Sequence, residues 1–219
     1  MISRRNLLTR SMGAAVAALL PNSSKAQSHL PGLPNIGFKA DTGPARSECG
    51  IGALLPWADA LWAVTYNSHM ERTGTGLGLY RIDEDLKPTL VHVHNGTHAN
   101  RFVHRESQQA FIGPYVIDLK GNFRFIRELA HHRLTATMRH LSDPAQRLYV
   151  LTMEGLLFEL DVESLRARPL FDLVKELGIE RRPHFKGGCT AQGRVIVANN
   201  GFYEYGDTSA GLYEWDGKR

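Results

Sequence analysis

A phrase of two short strands recurs four times along this chain and restricts the fold more than any other feature of the sequence. Its first part is an apolar run, found at Leu61–Val64, Ala110–Gly113, Leu148–Leu151 and Val195–Ala198. Its second part follows each run and ends on an aspartate, at Gly78–Asp83, Pro114–Asp118, Gly155–Asp161 and Gly211–Asp216. Short apolar runs between turn residues predict an all-β domain, and each aspartate suits a turn into a further strand.

The spacing of the phrase favours one all-β architecture. Matching Trp62, Phe111, Tyr149 and Ile196 gives intervals of 49, 38 and 47 residues. A unit of about 40–50 residues with several strands is typical of a β-propeller blade. A β-sandwich or jelly roll also has short, regularly spaced strands, but it does not require the same phrase in each unit. The sequence therefore predicts about four propeller blades over residues 59–219, with Ser164–Gly178 as the one segment able to hold a helix.

Four blades are few for a propeller. Most propellers need more blades to close their ring, so we expect these four to belong to a larger propeller of about seven blades, with a small four-bladed ring as the alternative. Residues 27–58, which are rich in Pro, Gly and Ser, predict a lead-in segment before the blades.

The first 26 residues have the features of an export signal. Arg4 and Arg5 precede the apolar run Met12–Leu20, which is too short for a permanent membrane anchor, and Ser24-Lys-Ala26 supplies small residues for cleavage. The paired arginines are typical of a twin-arginine signal, and an ordinary secretory signal is the alternative. Either predicts a periplasmic or secreted protein.

Charge and cysteine content exclude several classes of function. Residues 1–26 carry four of the 26 basic residues and no acidic one, which leaves 22 basic against 22 acidic residues. The mature chain therefore shows no general preference for nucleic acid or a membrane surface. Cys49 and Cys189 are too few for a thiolate metal site, although they could form one disulfide. We expect no cofactor.

Three cations recur at one distance from the matched strands. Ten positions before Phe111, Tyr149 and Ile196 lie Arg101, Arg139 and Lys186, whereas the first blade has Gly52. The segment before a blade's second strand is normally its innermost strand, so the three cations are predicted at equivalent places around the central channel. Such a ring would attract carboxylate or sulfate groups. The alternative is that the cations pair with acidic residues of neighbouring blades.

Other polar residues surround these cations. The candidates for substrate binding are Asn100, Arg101, Arg139, His140, Lys186 and Asn199, with His184 and the segment Tyr66–His69 nearby in sequence. His92 and His94, two residues apart on one strand, could hold a metal, but no carboxylate follows at a matching interval. We therefore predict no metal site and expect both histidines to face solvent.

His98, His104 and Tyr115 are the candidates for proton transfer. Alternation along a strand would place both histidines on one face and Arg101 on the other. A nearby arginine disfavours protonation of an imidazole, and a neutral imidazole is suited to act as a general base. A hydrogen-bonded structural role is the alternative for each histidine. Tyr115 could donate a proton or pack between blades.

A resemblance to a class of known proteins rests on the phrases Gly96–Arg101, Phe111–Asp118 and Val197–Gly201 behind an export signal. The chain resembles exported bacterial β-propeller proteins of glycan degradation, including polysaccharide lyases and glycosidases that act on uronic acids. The resemblance implies that Arg101 or Arg139 neutralises a uronate carboxylate, that His98 or His104 removes the C5 proton, and that Tyr115 is an acid. The family's full catalytic set does not map onto this sequence by spacing.

The sequence thus leaves alternative functions open. One is an exported enzyme that acts on acidic glycans by β-elimination or hydrolysis. The other is a non-catalytic propeller that binds an anionic glycan through the same residues, or a truncated remnant without activity of its own.

Overall fold

A computed structural model of the chain describes residues 50–66, 77–94, 96–179, 183–201 and 210–218. The chain divides into residues 1–35 and residues 36–219, and all the described elements belong to the second unit. The predicted signal (1–26), most of the predicted lead-in, Cys49 and residues 67–69 lie outside the described residues. The predictions made for them stay predictions.

The described residues form four antiparallel sheets, in chain order. Sheet one contains β1 (Gly50–Trp57), β2 (Ala60–Tyr66), β3 (Gly78–Ile82) and β4 (Pro88–Val93). Sheet two contains β5 (Arg101–His104), β6 (Gln109–Ile112), β7 (Tyr115–Ile117) and β8 (Phe123–Phe125), followed by a 3-10 turn at Arg127–Leu129. Sheet three contains β9 (Leu134–Arg139), β10 (Arg147–Thr152), β11 (Leu156–Asp161) and β12 (Ala167–Asp172). Sheet four contains β13 (Phe185–Ala191), β14 (Arg194–Asn199) and β15 (Gly211–Trp215).

Each sheet is a meander in which neighbouring strands along the chain are neighbours in the sheet. All eight strand runs of the sequence repeat are confirmed as the second and third strands of these sheets. Apolar clusters fill the three spaces between consecutive sheets, because both faces of the middle sheets are apolar. In sheet two, for example, Ala110 and Ile112 face sheet one, whereas Phe111 packs toward sheet three. A sandwich has one such space, so the four sheets are blades of a β-propeller. Further blades stay a prediction.

The aspartate that ends each repeat forms the predicted turn. The Asp83, Asp118 and Asp161 carboxylates each accept two backbone N–H groups, and the Asp216 carboxylate accepts the Lys218 N–H. These short-range hydrogen bonds fix the chain reversal after the third strand of each blade.

Two boundaries differ from the prediction. Gly50–Trp57, assigned to the lead-in, is the innermost strand of blade 1. A bulge between Ile51 and Ala53 interrupts its alternation, and a proline at position 56 further obscured the strand pattern. The predicted helix is only the four-residue α1 (Leu173–Glu176), because Ala167–Asp172 forms β12.

Candidate functional site

The candidate site lies where the chain passes from blade 1 to the innermost strand of blade 2. We call His94 and residues 96–100 the blade 1–2 connection. The Ala99 backbone N–H donates to the Leu134 carbonyl at 2.8 Å, and the Leu134 N–H donates to the Thr97 carbonyl at 2.9 Å. Leu134 is the first residue of β9, so these bonds tie the connection to blade 3.

Asn100 fixes the end of this connection. Its side chain is buried, and its Nδ2 donates to the Gly113 carbonyl at 3.1 Å and to Thr137 Oγ1 at 2.8 Å. The Gly113 N–H donates back to the Asn100 carbonyl at 3.1 Å. The Nδ2 group of Asn100, a residue predicted to bind substrate, is therefore engaged by strands of blades 2 and 3, whereas its buried Oδ1 has no hydrogen-bond partner among the described residues.

Arg101 follows Asn100 directly and is the first residue of β5. Its side chain is exposed, in contrast to the buried His98 and His104 on either side. This agrees with the predicted alternation. Within the described part of the chain, Arg101 has no ion pair. An exposed guanidinium on a fixed backbone presents its N–H donors to solvent, and a carboxylate is their matching acceptor.

The predicted register of the three cations is wrong. Arg101 and Lys186 lie near the starts of β5 and β13, whereas Arg139 is the last residue of β9. The hairpin loops after these strands are residues 105–108, 140–146 and 192–193, which makes them four, seven and two residues long. A fixed count of ten across loops of different length cannot reach equivalent positions, although it does reach the innermost strand each time.

Arg139 instead forms the ion pair that the sequence left as the alternative. Its guanidinium bonds to the carboxylate of Glu106, which lies in the β5–β6 loop of blade 2. This contact lowers the pKa of Glu106, chiefly through the hydrogen bond from Arg139. Arg139 is therefore neutralised by a neighbouring blade, at the other end of the inner strands from Arg101.

His98 is fully buried within the connection, and neither of its ring nitrogens has a hydrogen-bond partner among the described residues. Burial lowers its pKa well below the ordinary value of 6.5, and the neighbouring His94 lowers it further. Both effects favour the neutral imidazole over its protonated form. The cause is burial and a second histidine, not Arg101.

His104 lies at the far end of β5 and is also fully buried. Its Nε2 donates to the Pro144 carbonyl of blade 3 at 2.8 Å, and its Nδ1 accepts the Ser107 backbone N–H at 3.2 Å. Both ring nitrogens form hydrogen bonds to backbone groups. His104 therefore has a structural role and joins blades 2 and 3. The structure does not bring His104 and His98 together.

Tyr115 is fully buried between blades 1 and 2, and its hydroxyl lies 2.9 Å from His92 Nδ1. Phe123 and Phe125 pack around the ring, and burial raises the pKa of the phenol. These contacts describe packing between blades. They also correct the expectation for His92 and His94, which do not face solvent: His92 is half-buried and His94 is buried, because blade 2 covers the end of β4.

His140 belongs to a separate network between strands of blade 3. It is buried, stacks on Tyr149, and lies 3.1 Å from a carboxylate oxygen of Glu159. Glu159 also accepts hydrogen bonds from Arg147 and Arg168. His140 lies in the loop after β9, at the opposite end of the inner strands from Arg101.

In blade 4 the predicted residues lie near the start of β13. Asn199 is buried, and its Oδ1 accepts the backbone N–H of His184 at 2.8 Å. The Asn200 N–H donates to the His184 carbonyl at 3.0 Å. The equivalent bond in blade 2 runs from the Gly113 N–H to the Asn100 carbonyl. Lys186 is half-buried on β13. Lys186 and Asn199 thus belong to the same end of the inner strands as Arg101.

One charged pair at this end was not predicted from the sequence. The Met153 N–H donates to the Arg133 carbonyl at 2.8 Å, so Arg133 is the blade 3 counterpart of Asn100 and His184. The Arg133 guanidinium bonds to Glu154, and the second carboxylate oxygen of Glu154 is buried without a partner. A count along the sequence could not have found Arg133, because the hairpins of blades 2, 3 and 4 differ in length.

Within the described ranges, no group of three or more His, Cys, Asp or Glu side chains is arranged to hold a metal ion. The described helix is far too short to cross a membrane. Cys189 is exposed and unpaired among the described residues, and its predicted partner Cys49 lies outside them.

No protein-family profile matches the chain. No curated protein matches it either. The chain is similar in structure to the extracellular domain of a hybrid two-component system from Bacteroides thetaiotaomicron, with a TM-score of 0.48, 10% identity, and coverage of 68% of this chain and 22% of that one. A Bacteroides thetaiotaomicron protein of unknown function gives a TM-score of 0.47 at 11% identity, over 81% of this chain and 44% of the other. A luciferin-regenerating enzyme gives 0.43 at 10% identity, over 75% and 60% of the two chains. The chain thus spans less than two thirds of each, and similarities this distant do not bear on function.

Proposed function

We propose that this chain is an exported β-propeller protein that binds an acidic, uronate-containing glycan, and that Arg101 contacts the carboxylate. One observation carries the proposal. Arg101 is an exposed arginine without an ion pair in the described ranges, and it stands on a strand start that hydrogen bonds to blades 2 and 3 hold in place. A guanidinium whose backbone is already ordered loses less conformational entropy when it binds. The paired arginines at positions 4 and 5 support export.

Binding is favoured over β-elimination because of where the candidate bases and acid lie. His98, His104 and Tyr115 are all fully buried, and two of them have their polar atoms engaged by the protein. A general base must come within hydrogen-bond distance of the proton that it removes. The non-catalytic binding protein is therefore the better-supported function.

Calorimetric titration with oligogalacturonate tests this proposal, and the methyl-esterified oligosaccharide is the matched ligand without carboxylates. We expect the free acid to bind about tenfold or more tightly than the ester, because a charge-assisted hydrogen bond contributes about 1.5–3 kcal/mol. Salt should weaken binding of the acid and leave the ester unaffected. Equal affinities would contradict recognition of the carboxylate. Ultraviolet absorbance from a new conjugated double bond would contradict the non-catalytic role.

A further inference from the structure

Two buried histidines meet inside the blade 1–2 connection. The ring centroids of His94 and His98 are 4.7 Å apart. His94 is 9% exposed and His98 is 0% exposed. The Gly96 backbone N–H donates to His94 Nδ1 at 3.1 Å, while both nitrogens of His98 lack a partner among the described residues. A protonated His98 ring would therefore find no acceptor among the described residues for the hydrogen bonds that its two N–H groups could donate.

The surroundings of His98 leave its ring little room to turn. A Cβ atom at Gly96 would overlap its Nε2 and Cε1 atoms. A Cβ atom at Gly113 would lie 3.3 Å from the Cβ of His98. A protonated His98 ring can therefore be hydrated only if the backbone of the blade 1–2 connection moves.

No carboxylate in the described part of the chain acts on either histidine. The titratable groups that face them are His92 from β4 and Tyr115 from β7, whose ring centroid is 6.0 Å from that of His94. Two other buried histidines, His104 and His140, differ in this respect. His140 lies 3.1 Å from Glu159, and His104 lies 3.7 Å from Glu106. Unlike His104 and His140, the imidazoles of His94 and His98 are therefore buried without a compensating carboxylate among the described residues.

The connection also holds blade 3 in place. Thr97 and Ala99, on either side of His98, make the two backbone hydrogen bonds to Leu134. Movement of the imidazole into water would break both bonds, and Arg101 would lose its fixed position. We propose that the blade 1–2 connection is an acid-sensitive latch, which opens away from Leu134 when His94 and His98 take up protons, while blade 3 remains folded.

The direction of the pH effect follows from the buried state. Burial, reinforced by His92, lowers the pKa of His94 to about 4, and burial lowers that of His98 well below 6.5. A histidine with a lowered pKa contributes full stability above its open-state value of 6.5 and loses it as the pH falls. Each histidine then favours the open form by up to about tenfold per pH unit, until its own closed-state pKa is reached.

Hydrogen exchange read by mass spectrometry at pH 7.5 and 5.0, corrected for the intrinsic rate, tests the latch on the whole chain. We expect the amides of Ala99 and Leu134 to exchange at least about 30-fold faster at pH 5.0, since this pH lies 1.5 units below the open-state pKa. The β10 and β11 amides should keep their protection. Unchanged protection at Ala99 and Leu134 would overturn the proposal, and so would loss of protection in all of blade 3 together.

A pair of variants assigns the effect to the buried ring. His98→Met removes the titrating group and fills a similar volume, so the pH-dependent acceleration should fall at least about tenfold. His131→Met, at an exposed histidine, is the matched control and should behave as the wild type. If His98→Met does not fold, exchange at the imidazole C2–H of the wild type replaces it: His98 should exchange far more slowly than His131 at pH 7.5 and approach it at pH 5.0. Equal rates at pH 7.5 would contradict the latch. None of these readouts requires a ligand.

Discussion

Replacement of Tyr115 by alanine is expected to lower the free energy of unfolding by about 3–5 kcal/mol, the cost of removing a large aromatic side chain from a core. Tyr115 is fully buried in the cluster between blades 1 and 2, where Phe123, Phe125 and His92 contact its ring. The cavity would lie where two blades meet, so both should lose stability. Chemical denaturation followed by circular dichroism measures the change.

Tyr115→Phe is the control that separates packing from chemistry. It keeps the ring and removes the hydroxyl that lies 2.9 Å from His92 Nδ1, so we expect a loss of about 1 kcal/mol and unchanged affinity for an acidic glycan. A stable Tyr115→Phe protein that no longer bound or cleaved glycan would show that the phenol acts on the ligand, contrary to the packing role.

Replacement of Gly96 by alanine is expected to destabilise the protein by about 1–3 kcal/mol, the usual cost of overpacking a core. The new Cβ would overlap His98 and would lie 3.1 Å from the Ala130 carbonyl oxygen. Because the His98 ring is fully buried, the strain falls on the blade 1–2 connection. Thermal denaturation at pH 7.5 measures the loss.

Gly187→Ala is the matched control for this substitution. Gly187 lies in β13, and nothing within 4 Å would meet a Cβ atom there. The melting temperature of the Gly187→Ala protein should therefore be close to that of the wild type. Equal melting temperatures of the two alanine variants would contradict the close packing of Gly96 against His98.

The blades were predictable because each repeat carries its own local signals. The apolar runs of each phrase mark strands, and its final aspartate forms hydrogen bonds within four residues, which a sequence pattern can reveal. Gly50–Trp57 was missed because a bulge removes its alternation. The length of α1 was overestimated because Leu170 and Phe171 belong to a strand that packs against blade 4.

The candidate site was less predictable, since it depends on contacts between blades. The sequence placed Arg101, Arg139 and Lys186 on inner strands, which is where they lie. The sequence could not give the position of each cation along its inner strand. Hairpin loops of unequal length separate each inner strand from the second strand on which the blades were matched. Burial of His94, His98 and Tyr115 is likewise set by the neighbouring blade, and no local pattern reports it.

The central claim is that Arg101 is the carboxylate-binding residue of this propeller. Arg105 offers a matched control, since it is also exposed and lies just beyond the other end of β5. Both variants, Arg101→Ala and Arg105→Ala, remove one exposed positive charge, so any general electrostatic effect on an anionic ligand is the same for both.

Calorimetric titration of oligogalacturonate into the wild type and these two variants is therefore the most direct test. We predict that Arg101→Ala weakens binding about tenfold or more, as expected for loss of a charge-assisted hydrogen bond, and that Arg105→Ala changes it less than about twofold. Equal affinities of the two variants for the oligosaccharide would contradict the assignment of Arg101.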